Sequence, residues 1–334
     1  MTAPDLRVRA LGGALRLFSV ARATPEQIVA RQGRSRGHGR VLDHVFGGLV
    51  PGVTVQDTAV RSGEHRPPLR VYRPQVDARG PDDAALPLVL LLHGGGWVAG
   101  DLDGYDWIGS SVASGAGAVV VSVDYRLAPT HPWPTAAEDC WAALLDVVDR
   151  AEEWGADPTR LAVLGDSAGG NLAAVLTLMA RDRSGPTITA QALVYPSTDL
   201  DSETRSMVVN AHAPILDQRE ALIYRDLYVP HEPDRHHPYA SPARAHDHHG
   251  LPPALIQVAE HDPLRDDGLR YVALLREAGV PVRETTYVGM PHGYLSFPGI
   301  CRSAPQAMAE LTAFLRDRLG PRPRPPATDP GTSD

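Results

Sequence analysis

Short apolar runs without polar alternation set the tightest limit on how this chain folds. PLVLLL (87–92), AVVVSVD (118–124) and LAVLG (161–165) are of this kind, and ITAQALVYP (188–196), ALIQVA (254–259) and VRETTYV (282–288) follow in the same rhythm. A strand without alternation is covered on both faces, as in a parallel sheet flanked by helices. Helix-like stretches accompany these runs, from Trp133 to Trp154, Ser167 to Ala180, Arg265 to Ala278 and Ala304 to Leu319. The pattern predicts an α/β protein whose strands are joined by helical crossovers. Between Val53 and Arg73, VTVQDTAV and LRVYRP carry apolar residues in near alternation, which predicts an antiparallel pair of strands ahead of the parallel ones.

Two segments break the rhythm. Residues 1–50 precede the first strand, and 197–250 separate two sheet strands by far more than an ordinary connection. The second holds one helix-like piece, Asp217 to Tyr228, among many prolines and histidines. Long excursions from such a sheet often cover the functional site, so both are expected to form a helical cap. The chain then divides into 1–50 (N-terminal part of the cap), 51–196 (first part of the core), 197–250 (cap insertion) and 251–320 (second part of the core). Residues 321–334, GPRPRPPATDPGTSD with its leading glycine excepted, have the composition of a disordered tail.

Charge and composition exclude several classes. All 32 cations are arginines, set against 40 carboxylates for a net charge of −8, which argues against a nucleic-acid partner. No stretch approaches the ~20 continuous apolar residues that span a bilayer, so no stable membrane insertion is expected. Near the N-terminus Leu11, Leu15, Phe18 and Ile28 recur at roughly helical spacing between arginines. That is an amphipathic helix packed on its own protein rather than a secretory signal. Two cysteines, Cys140 and Cys301, are too few for a disulfide framework and suit a reducing, cytoplasmic location.

The chemistry concentrates in LAVLGDSAGGNLAAVLTLMA, where Gly165-Asp166-Ser167-Ala168-Gly169 joins a strand-like run to a helix-like one. This is a G-x-S-x-G elbow, whose turn is so tight that both flanking positions must be glycine. GRSRG around Ser35 matches the same pattern, but no strand precedes it and no helix follows, so it reads as an arginine-rich loop. A nucleophilic serine needs a base, and the base an orienting acid. Asp262 lies just beyond the run ALIQVA, where a side chain reaches over the sheet edge, with Glu260 as its competitor. Asp266 and Asp267 read as charges at a helix start. Of 14 histidines, His292 follows the last strand-like run in a loop shaped by Gly289, Pro291 and Gly293. His261 is expected to point away toward a loop surface or the cap. HDHHG (246–250) lacks ordered ligand spacing and reads as a solvated loop, so no metal is expected.

LLLHGGGWVAG runs from a buried strand into His93-Gly94-Gly95-Gly96-Trp97. Glycines let successive N–H groups face a cavity, and those of Gly94, Gly95 and Ala168 are expected to form an oxyanion hole. A phosphate-binding loop is excluded, since no Gly-Lys-Ser/Thr follows and the chain has no lysine. Trp97, Tyr195, Met207, Ile215, Ile223 and Leu295 are the residues expected to line an apolar substrate pocket.

HGGGW (93–97), DYRLAP with HPWP (124–134), GDSAGGN (165–171), DPLRDDG (262–268) and HGY (292–294) occur in this order. Together they resemble the hormone-sensitive-lipase-like group of bacterial α/β-hydrolase esterases, from about residue 87 onward. One departure is Thr130, where the group usually has glutamate. The resemblance implies an α/β-hydrolase fold with a helical cap, the triad Ser167, Asp262 and His292, and no cofactor. It also implies hydrolysis of short- to medium-chain carboxylic esters through an acyl-enzyme, with a homodimer as the prior for assembly. Deacetylation or amide hydrolysis of a specialised metabolite would use the same triad. A silent ligand receptor on this fold would be expected to lose a triad member or the glycine loop.

Overall fold

The computed structural model describes residues 5–33, 37, 39–61, 63–75 and 85–320. Ser35 and the segment 321–334 lie outside the described residues. Eight strands form one sheet: β1 (Val53–Ala59), β2 (Pro68–Pro74), β3 (Leu86–Leu92), β4 (Val119–Val123), β5 (Ala156–Asp166), β6 (Ala190–Val194), β7 (Ala254–His261) and β8 (Val282–Pro291). Their spatial order is β1-β2-β4-β3-β5-β6-β7-β8. β1 pairs with β2, and β2 with β4, antiparallel; every later pair is parallel. The apolar runs thus become the parallel strands, and the alternating pair forms the antiparallel edge.

Strand β3 shows why those runs need no polar alternation. Leu86, Leu88, Leu90 and Leu92 enter one core, while Val89 and Leu91 enter the other. The described helices are α1 (Leu6–Leu15), α2 (Pro25–Val29), α3 (Arg40–Phe46), α4 (Asp106–Ala116), α5 (Thr135–Asp149), α6 (Ala168–Asp182), α7 (Arg205–Val209), α8 (Gln218–Tyr228), α9 (Arg265–Glu277) and α10 (Ala304–Leu319). Helices α5, α6 and α9 bury their apolar residues in the first core, α4 and α10 in the second.

Helix α4 has no counterpart among the helix-like stretches of the sequence. Its DWIGSSVASGA is rich in Gly and Ser, which weaken helix propensity. Packing explains the composition: a Cβ on Gly109 would lie 2.4 Å from the Tyr72 ring, and one on Gly115 2.8 Å from the Thr312 side chain. The helix therefore lies closer to β2 and α10 than bulkier side chains would allow.

The two excursions meet each other. Helix α1 lies against the insertion so closely that a Cβ on Gly12 would be 2.9 Å from Pro214. Val8 is buried and Leu11 and Leu15 are half-buried on that inner side, but Phe18 is 71% exposed, against the expectation that it packs inward. In the insertion, α8 starts where expected, with Asp217 and Glu220 forming a reciprocal capping box. Asn171 of α6 donates from Nδ2 to the Ser197 and Ala240 carbonyls, each at 2.9 Å, and ties both ends of the insertion to the core.

Asp267, in the first turn of α9, holds the start of the insertion, accepting the N–H groups of Thr198 (2.5 Å) and Asp199 (3.1 Å) at Oδ2. Burial pushes its carboxyl up to about 7. The unfolded carboxyl titrates near ~4, so between those values the folded chain keeps a proton that the unfolded chain releases. This contribution to stability is complete below the unfolded value and is lost as pH rises toward the folded one. Asp267→Asn should therefore gain on the parent, by about 1 kcal/mol or more, when urea unfolding is compared at pH 5 and pH 8. A stability difference that is the same at both pH values would contradict the buried, protonated carboxyl.

Candidate active site

Strand β5 ends at Asp166 and helix α6 begins at Ala168, leaving Ser167 as the single residue of the turn. Its φ of 55° and ψ of −118° are rarely adopted by a residue with a side chain, at a cost of ~1–3 kcal/mol. The surroundings impose this conformation. A Cβ on Gly165 would lie 2.1 Å from the Gly169 carbonyl oxygen, and one on Gly169 2.0 Å from the Leu92 carbonyl oxygen. The Ser167 N–H donates to Val194 of the neighbouring strand at 2.8 Å.

Ser167 Oγ lies 2.8 Å from His292 Nε2, and His292 Nδ1 lies 2.8 Å from Asp262 Oδ2. A carboxylate only accepts, so Nδ1 carries the ring proton and Nε2 is left to accept from the serine hydroxyl. Asp262 is fully buried; its Oδ1 accepts the Leu264 N–H at 2.8 Å. The three residues singled out from sequence thus stand in one hydrogen-bonded line.

The competing carboxylates are placed elsewhere. Glu260 Oε2 accepts the N–H of Gly289 at 2.8 Å and so braces the loop that carries His292. Asp266 Oδ2 accepts the Ser206 N–H at 2.8 Å. His261 ends β7 and is only 5% exposed, which excludes the loop surface of its two expected surroundings, and it does not line the cavity above Ser167. In HDHHG, His248 is buried with Nε2 donating to the Pro242 carbonyl at 3.0 Å, while His246 and His249 are exposed. Among the described residues no group of three or more His, Cys, Asp or Glu is placed to hold a metal ion. Cys140 and Cys301 are buried, free thiols.

The glycine loop departs from the expectation by one residue. The Gly94 N–H turns inward, donating to Tyr105 Oη at 2.5 Å and to Asp166 Oδ1 at 3.0 Å, with the Tyr105 hydroxyl on the same carboxylate oxygen at 2.6 Å. That N–H is therefore spent on the scaffold. No hydrogen bond among the described residues engages the N–H of Gly95, Gly96 or Ala168, and all three residues line the cavity above Ser167. Gly95, at φ 116°, has a site where a Cβ would lie 2.2 Å from the Ala99 carbonyl oxygen. His93 supports the loop from below, stacked on Tyr125 at 4.1 Å with Nδ1 donating to the Gly94 carbonyl at 2.9 Å. Burial pushes its imidazole down to about 4, so it stays neutral. Burial also raises the Asp166 carboxyl, opposed by the Tyr105 hydrogen bond and the nearby His292.

The cavity has a volume of about 240 Å³. Of the six apolar residues expected in it, Trp97, Met207 and Ile215 line it. Tyr195, Ile223 and Leu295 do not. Tyr195 packs on the His292 ring at 4.7 Å between centroids, Leu295 lies in the second core and Ile223 packs against the first. Leu200, Leu216, Leu222, Tyr224, Leu264 and Phe297 add apolar surface to the cavity. Nothing local marks them, because the wall exists only once distant segments, the insertion among them, meet above Ser167. Asn210 was likewise not foreseen: its Nδ2 donates to the Asp262 carbonyl at 2.9 Å and the Glu260 carbonyl at 3.3 Å. No helix among the described residues is long and apolar enough to cross a membrane.

A mostly parallel sheet, a strained serine between strand and helix, and a buried acid–imidazole–hydroxyl line together define an α/β-hydrolase. Residues 89–296 match the family model of the alpha/beta hydrolase fold, and the chain belongs to that family, in its hormone-sensitive-lipase-like branch. It is 44% identical over 302 residues to "Esterase LipI" of Mycobacterium tuberculosis, covering 90% of this chain and 93% of the relative. "Carboxylesterase NlhH" of the same organism is 44% identical over 276 residues, 81% of this chain and 85% of the relative. Among solved structures, a thermostable esterase from Pseudomonas putida superposes with a TM-score of 0.84 at 32% identity, over 96% of this chain and 99% of that one.

Gly165→Ala tests the elbow. The added methyl must push against the Gly169 carbonyl, so stability should fall by roughly 1–3 kcal/mol and ester hydrolysis by at least about 100-fold. Parental activity with an unchanged urea midpoint would contradict the contact.

Proposed function

We propose that this chain is a serine carboxylesterase acting on short- to medium-chain esters through an acyl-enzyme. The class, carboxylic ester hydrolase, follows from the family and its esterase-named members. The observation that carries the finer reading is the unbroken line from Asp262 through His292 to Ser167, with 2.8 Å at each step. In this reading Ser167 Oγ attacks the ester carbonyl carbon while its proton passes to His292 Nε2, and Asp262 stabilises the resulting imidazolium. The N–H groups of Gly95, Gly96 and Ala168 receive the oxyanion. The C–O bond then breaks, Nε2 returns the proton to the departing alcohol, and the acyl group stays on Ser167. Water gives a proton to Nε2 as it attacks the acyl carbon; collapse of the second oxyanion breaks the acyl C–Oγ bond, Nε2 returns the proton to Oγ, and the acid leaves. A cavity of about 240 Å³ is below the ~300–1,000 Å³ range of drug-sized ligand sites, which supports short to medium acyl chains. The buried free thiols of Cys140 and Cys301 fit a reducing compartment.

Tyr224 supports a view of what limits chain length. Its ring covers the glycine loop, since a Cβ on Gly96 would lie 2.3 Å from it. It also borders a second cavity of about 210 Å³ walled by Val20, Ile28 and Val98. On a ladder of p-nitrophenyl esters from acetate to palmitate, the parent should peak at short to medium chains, and Ser167→Ala should lose at least about 10³-fold. Tyr224→Ala joins the two spaces and should raise the octanoate-to-butyrate ratio of kcat/KM at least tenfold. No turnover on any rung would overturn the esterase reading and favour amide hydrolysis, assayed on p-nitroacetanilide; full activity in Ser167→Ala would exclude Ser167 as nucleophile.

A further inference from the structure

The first helix carries a second apolar face that no part of the described protein covers. Leu6, Ala10 and Gly13 of α1 and Leu17 of the turn after it follow one another at steps of four, three and four residues and are exposed, and Phe18 of the same turn extends the stripe. Leu6 is 76% exposed, Leu17 67% and Phe18 71%. The opposite side is fixed against the protein by Val8 and by the close approach of Gly12 to Pro214, so this stripe is held outward.

The charges around the stripe say what suits it. Residues 6–25 contain four arginines, Arg7, Arg9, Arg16 and Arg22, and no carboxylate, in a chain whose net charge is −8. All four are exposed. A basic, apolar-faced helix on an otherwise acidic protein has the composition of an interfacial helix. Its arginines lie at the edge of the apolar stripe, where they meet anionic headgroups as the leucines and the phenylalanine enter the acyl boundary. A second copy of the chain fits less well, because a two-fold contact through this face would set arginines against arginines.

We propose that the outward face of α1 and the turn after it is a docking surface for an anionic phospholipid bilayer. Docking would be peripheral and reversible, since a single short amphipathic helix gives neither a membrane span nor a covalent anchor. It would also set the protein's approach to lipophilic molecules: Phe18 walls the second cavity, which borders the catalytic one and shares Tyr224 and Tyr105 with it. The docking itself does not depend on the esterase reading.

Vesicle co-sedimentation tests this with the full chain at low and at physiological salt. Vesicles of phosphatidylcholine with about one-third phosphatidylserine should retain the protein, vesicles of phosphatidylcholine alone should retain at least tenfold less, and salt should weaken the binding. The double variant Leu6→Ser/Leu17→Ser should lose at least tenfold in partitioning while hydrolysing soluble p-nitrophenyl butyrate as the parent does. Arg7→Gln/Arg9→Gln/Arg16→Gln should lose the preference for phosphatidylserine and the salt dependence. No binding by the parent to either vesicle would overturn the proposal, as would equal binding by parent and Leu6→Ser/Leu17→Ser. So would light scattering that shows a dimer abolished by the same two serines, since the face would then belong to a second copy.

Discussion

The approach of two backbones at the elbow governs the geometry of the whole site. The Gly169 Cα lies so close to the carbonyl of Leu92 that only a hydrogen fits there, and the Gly169 carbonyl in turn closes on Gly165. This locks the start of α6 against the carboxyl ends of β5 and β3. With that contact made, Ser167 has nowhere to go but the positive-φ conformation that lifts its side chain above the sheet. The helix N-terminus then lies beneath the reacting centre, with the N–H of Ala168 unspent. The glycine loop leaves the neighbouring strand β3 immediately beyond Leu92, so one close contact sets both the Ser167 hydroxyl and the N–H groups that face the cavity.

The rest of the site is held by polar groups outside the line of Asp262, His292 and Ser167. Asp166 is buried beside Ser167 and gathers the Tyr105 hydroxyl and the Gly94 N–H. In doing so it anchors the first glycine and leaves the next two free to face the cavity. Glu260 and Asn210 hold the loop of His292 and the backbone of Asp262, respectively. Each buried carboxylate thus has a separate task, and the pairing of Asp262 with His292 is protected by burial and by the Leu264 N–H. The insertion is fastened to the core by Asn171 and Asp267.

Much of this architecture was legible because the relevant signals are local. Apolar runs without alternation became the parallel strands, and a G-x-S-x-G between strand and helix became the elbow. What was not legible depends on contacts between distant segments. Helix α4 hides behind glycines and serines whose purpose is visible only against Tyr72 and Thr312. The direction of the Gly94 N–H is set by Asp166 and Tyr105, 72 and 11 residues away, so three consecutive glycines could not reveal which two face the cavity. The six apolar residues divide for a related reason: Trp97, Met207 and Ile215 border the cavity, whereas Tyr195 packs on the His292 ring and Leu295 enters the second core.

The central claim is that the line from Asp262 through His292 makes Ser167 the nucleophile. A p-nitrophenyl alkylphosphonate, which leaves a stable phosphonyl ester on an activated serine, tests it most directly. Intact mass should show one phosphonyl group per chain, with release of one p-nitrophenol, and peptide mapping should place it on Ser167. An unmodified chain, or an adduct on any other residue, would contradict the account.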